Sequence, residues 1–116
     1  MIILTVIVPE KEQAEIMSRY LLKAKYAVQV VLTKTSSRIE LDASGAEVCI
    51  DVITLQFVTK GVLFNELDES LKNEFPHVDF CMYAAPAIYV NSPYYELVRS
   101  TIPGELSVNL PKANES

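Results

Sequence analysis

Val48 to Thr59 reads Val-Cys-Ile-Asp-Val-Ile-Thr-Leu-Gln-Phe-Val-Thr, and no other stretch restricts the fold as tightly. β-Branched and aromatic residues dominate it, and it contains neither Gly nor Pro, so it is predicted to be a strand. Side chains alternate along a strand. Ile53, Leu55 and Phe57 therefore share one side, and Val52, Thr54, Gln56 and Val58 the other. Half of the second set is apolar as well, whereas a sheet with one wet face would alternate more cleanly. This strand is expected to be covered on both sides, by helices on one and by something else on the other.

The remaining chain supplies partners for it. Ile2 to Val8 is a first strand, again apolar on both sides. Pro9 suits the first turn of a helix, where Glu10 and Glu12 complement the helix dipole. Ala14, Met17, Leu21 and Ala24 then recur at helical spacing. Tyr26 to Thr35 is predicted to be a second strand that runs on as a more polar ribbon to Asp42, with Asp42-Ala-Ser-Gly45 as the turn. Phe64, Leu67, Leu71 and Phe75 form the buried stripe of a second helix, which Pro76 stops. His77 to Ala85 is predicted to be a fourth strand. Asn91-Ser92-Pro93 opens a short helix with Tyr94, Leu97 and Val98, and Pro103-Gly104 ends it. Glu105 to Leu110 is a candidate short strand.

This order predicts an α+β fold of the ferredoxin-like βαββαβ type: a four-stranded antiparallel sheet, two helices on one face, a long β2–β3 hairpin and a short C-terminal helix. At 116 residues it is expected to be a single domain, 1–116, able to bury a core without metal or disulfide. Two helices cover only one side of such a sheet. The other side, carrying Ile3, Ile7, Val52 and Val58, is then an apolar patch, and such patches mark interfaces. A homo-oligomer is the expected partner arrangement.

Nucleic-acid binding calls for a basic face, and a net charge of −5 argues against one, so no nucleic-acid partner is expected. The apolar start lacks a basic leader, and no apolar run spans a bilayer. Neither a signal peptide nor a membrane partner is expected, and the location is read as cytoplasmic. The chain has no glycine-bearing phosphate loop and no Cys-x-x-Cys, and its one His forms no convincing nucleophile pair. It is read as non-catalytic. Cys49 and Cys81 are expected to be buried free thiols.

One constellation carries metal-like chemistry. His77, Asp79 and Cys81 are spaced by two, which places them on one face of the predicted fourth strand. Imidazole, carboxylate and thiolate suit copper or zinc, with an oligomer partner able to complete the set.

Several stretches together resemble the CutA divalent-cation tolerance family, a relative of the PII signal proteins. They are Thr5-Val-Ile-Val-Pro9-Glu10, Leu63-Phe64-Asn65-Glu66-Leu67 followed by Phe75-Pro76-His77, and Asn91-Ser92-Pro93-Tyr94. The resemblance spans about Ile2 to Val98. It implies a trimer with hairpins reaching across subunits and open sheet faces inward, and a role in metal tolerance or copper binding without established catalysis. A PII-like regulatory subunit that binds a small ligand or partner protein is the alternative. The family's polar residues do not carry over. Its His falls at Phe75, its Tyr at His77, its first Glu at Val78, its Cys at Val28 and its Lys at Val58, and the chain has no Trp.

Overall fold

The computed structural model describes residues 1–104, Thr35 by its backbone alone. The elements run β1 (Ile2–Val8), α1 (Lys11–Lys23), β2 (Val31–Leu41), β3 (Glu47–Thr59), a 3-10 turn (Gly61–Leu63), α2 (Phe64–Glu74), β4 (Cys81–Pro86) and α3 (Ser92–Thr101). The strands form one antiparallel sheet in the order β2-β3-β1-β4. This is the ferredoxin-like architecture expected from the sequence. The candidate strand at Glu105 to Leu110 lies outside the described residues.

The core lies between the sheet and the two long helices. Leu4, Val6 and Val8 pair with Phe57, Leu55 and Ile53 on the helix side. Against them pack Ala14, Met17 and Leu21 of α1 and Leu67 and Leu71 of α2, all fully buried. Each fully buried Leu contributes about 1.5–3 kcal/mol relative to an exposed one. The α2 stripe is the one the spacing predicted, with Phe64 and Phe75 half-buried at its ends, and so are Ala14, Met17 and Leu21 of α1, whereas Ala24 caps α1 and is exposed.

Two strands begin later than expected. The exit from α1 is a reversed turn with Lys25 at φ 64, and Tyr26, Ala27 and their neighbours are spent wrapping back over the helix end. β2 therefore starts at Val31, not Tyr26. Beyond Pro76, the amide of Val78 bonds to the carbonyl of Phe75 at 3.2 Å, forming a turn in which His77 sits. β4 starts at Cys81, not His77. Pro9 also lies outside its helix, two residues before Lys11, and Glu10 takes the N-cap position.

The hairpin outreaches the rest of the sheet. β1 ends at the pair Val8↔Ile53, whereas β2 and β3 continue paired to Leu41↔Glu47. At the point where β1 stops, the register jumps from Thr33↔Thr54 to Ser36↔Val52. One extra β2 residue faces Ile53, which is a β-bulge. It reverses the sidedness of β2. Leu32 is on the helix side before the bulge, and Ile39 and Leu41 are on it afterwards, beyond the helices and exposed. At the tip, the Asp42 carboxylate accepts from the amides of Ser44 and Ala46 at 2.9 and 3.0 Å, and Gly45 adopts φ +87.

Candidate functional site

The face of the sheet away from α1 and α2 holds the residues that sequence reasoning singled out. The register places Ile3, Thr5 and Ile7 of β1 beside Val58, Gln56 and Thr54 of β3, and beside Ala85, Tyr83 and Cys81 of β4. Val31 and Thr33 of β2 complete it. Its centre is polar: the Gln56 side-chain amide donates to Thr5 Oγ1 at 3.2 Å, and Thr5 is buried. Its rim is apolar and open, with Ile3 37 %, Val31 56 % and Tyr83 56 % exposed.

Of the four interface residues expected from the sequence, Ile3 is exposed and Ile7 and Val58 are half-buried. Val52 differs. It is 3 % exposed within the single chain, so it offers no open surface. Val31 and Tyr83 supply exposed apolar area that the sequence reading did not assign to this face. The alternation of both strands is plain in the sequence, but which face each residue joins is fixed only by the pairs Val31↔Gln56 and Tyr83↔Thr5.

At the upper end of this face, Arg38 reaches from β2 to β4. Its Nη1 lies 3.9 Å from Cys81 Sγ, and its Nε lies 2.9 Å from Glu40 Oε1. Cys81 and Cys49 are both free and exposed, not buried as small hydrophobes. Cys49 pairs with Ile39 out on the ribbon, beyond the end of β1. Sequence distance hides the Arg38–Cys81 contact, and so does the strand order, which sets β2 and β4 at opposite edges of the sheet.

The expected metal constellation is not assembled within one chain. His77 lies in the turn after α2 and Asp79 precedes β4, so strand alternation does not align them with Cys81. Among the described residues, no three His, Cys, Asp or Glu side chains are grouped closely enough to hold a metal ion. The guanidinium beside Cys81 adds positive charge where a divalent cation would sit. These residues, taken from a single chain, do not fit a copper or zinc site.

Elsewhere, a shallow open groove of about 290 Å3 runs between α1 and the edge strand β2, lined by Glu15, Ser18, Arg19, Leu22, Val30 and Leu32. Across the two helices, the Tyr26 hydroxyl donates to Glu66 Oε2 at 2.9 Å, and the Tyr20 and Ser70 hydroxyls bond to each other. Burial, with Glu66 nearby, pushes the Tyr26 hydroxyl above its ordinary range. No described helix is long and apolar enough to cross a membrane.

Comparison with solved structures places this architecture. The chain superposes on Cut A1, a divalent cation tolerance protein from Thermus thermophilus, with TM-score 0.79, 22 % identity and coverage of 89 % of this chain and 100 % of that one. CutA1 from Oryza sativa gives TM-score 0.80 at 20 % identity, covering 90 % of this chain and 94 % of its own. The periplasmic divalent cation tolerance protein CutA from Archaeoglobus fulgidus gives 0.78 at 18 % identity, with coverage of 89 % and 100 %. No family model and no curated protein sequence matches the chain. The fold is therefore that of the CutA proteins, an α+β sandwich.

Proposed function

We propose that this chain is a divergent CutA-like protein that works without catalysis as a homotrimer, with its open sheet faces turned inward. The observation that carries this reading is the open face itself. Among the described residues, Ile3, Val31 and Tyr83 ring a polar Thr5–Gln56 centre on the side of the sheet away from α1 and α2. Exposed apolar area of this kind marks an interface. The solved neighbours named for divalent cation tolerance share the fold over nearly their whole length and suggest the role.

In the metal version of this reading, His77, Asp79 and Cys81 contribute copper or zinc ligands only in combination with a neighbouring copy. Light scattering tests the assembly: three times the 13.0 kDa chain mass supports it, and a monomer retires it. Calorimetric titration of the assembled protein and its His77→Ala variant with copper and zinc tests the cation role. Binding heat in the native protein that the variant lacks supports it; no heat in either removes it.

A further inference from the structure

Lys60 follows β3 directly and is 3 % exposed. Its ammonium donates to the carbonyl oxygens of Arg99 at 3.0 Å and Gly104 at 2.8 Å, and also to that of Ile102. An ammonium has three protons, and here each has its own carbonyl. The Arg99 and Ile102 carbonyls belong to the last turn and cap of α3, where a helix leaves carbonyls unpaired and its dipole favours a cation. The third carbonyl depends on a special turn. Gly104 has φ +102, and a Cβ there would lie 2.9 Å from Val62 Cγ2. Backbone conformation and close approach both reserve the position for glycine.

Apart from this cation, α3 is lightly docked. Val98 is its one fully buried residue, Ile102 at its cap is buried, Tyr94 is half-buried against the core, and Tyr95, Leu97 and Arg99 face water. Segments with few buried side chains open ahead of the rest of a fold. The geometry points to a latch: Lys60 holds α3 and residues 102–104 to the sheet, and this strap opens as a unit, with the sheet intact, when the latch is broken. Opening uncovers the part of the apolar core that Val98 and Ile102 close. The latch is independent of the oligomer reading, because Lys60 and its partners lie within one chain.

Native-state amide exchange followed by NMR at fixed pH tests this in the wild type, Lys60→Met and Gly104→Ala. The reporter is the Ile102 amide, bonded to the Val98 carbonyl at 3.1 Å. Lys60→Met is expected to lower its protection by about tenfold or more while the amides of β1 and β3 keep theirs. Gly104→Ala, which misplaces one carbonyl, lowers it less but in the same place. If Lys60→Met fails to fold, the glycine variant alone decides. Unchanged Ile102 protection, or a loss shared equally by the sheet, overturns the latch.

Discussion

The backbone amide of Tyr26 donates to the carbonyl oxygen of Leu21 at 2.9 Å, and this bond decides where the second strand can begin. With the Lys25 amide on Leu22 at 3.2 Å, it forms a Schellman motif, and Tyr26 and Leu21 both join the buried core. The motif demands a left-handed residue at position 25, where the chain carries lysine at φ 64.

Lys25→Gly is therefore expected to stabilise the protein by about 0.5–1 kcal/mol, because glycine adopts that conformation without steric cost. Urea unfolding would show a higher midpoint at unchanged slope. A lower midpoint would mean that the Lys25 side chain contributes more than its backbone costs.

Leu55 lies opposite Val6 in the centre of the sheet and is fully buried. Leu55→Ala is expected to cost about 2–5 kcal/mol through lost burial and the cavity left behind. Thermal unfolding checks it, and a loss below about 1 kcal/mol would show that the helices collapse onto the gap.

Tyr83 sits on the rim of the open face, with 56 % of its surface exposed in a single chain. If sister copies cover that face, Tyr83→Glu buries a charge on assembly and is expected to shift the light-scattering mass to 13.0 kDa without changing the circular dichroism of the fold. An unaltered mass would place the contact elsewhere.

Hydrogen bonds from Ser44, Ala46 and the tip backbone hold the Asp42 carboxyl below the ordinary value of 3.8. The folded hairpin then binds that proton less readily than the unfolded chain does. Its stabilising effect is complete above pH 3.8 and is lost as the pH falls through the lower folded value. The amide shifts of Ser44 and Ala46 should titrate together with a midpoint below 3.8, and Asp42→Ala should abolish that titration. A midpoint at or above 3.8 would contradict the capping role.

The architecture was legible where local pattern and packing agree. The two apolar faces of Val48 to Thr59, the stripe through Leu67 and Leu71, and the Asp42 to Gly45 turn each stand in the structure where the residues predict them. The two late strand starts share one cause. Tyr26 and His77 have strand-like neighbours, but each is captured by the turn that ends the preceding helix, a hydrogen-bonding choice that alternation does not encode. Both cysteines look like core residues in apolar sequence, yet Cys49 lies on a ribbon beyond the helices and Cys81 on a face they do not cover. Lys60 gave no local sign, because its three acceptors lie about forty residues away, beyond α2 and β4.

The single additional residue of β2 opposite Ile53 bends the arm without deciding its sidedness. Losing one residue between Thr33 and Ser36 would leave one β2 residue facing Ile53, and the pairs Thr33↔Thr54 and Ser36↔Val52 would both survive. Ile39 and Leu41 would keep their present side, because each shares the side of the β3 residue it faces. A shortened variant of this kind is therefore expected to carry a straighter arm with the same two faces.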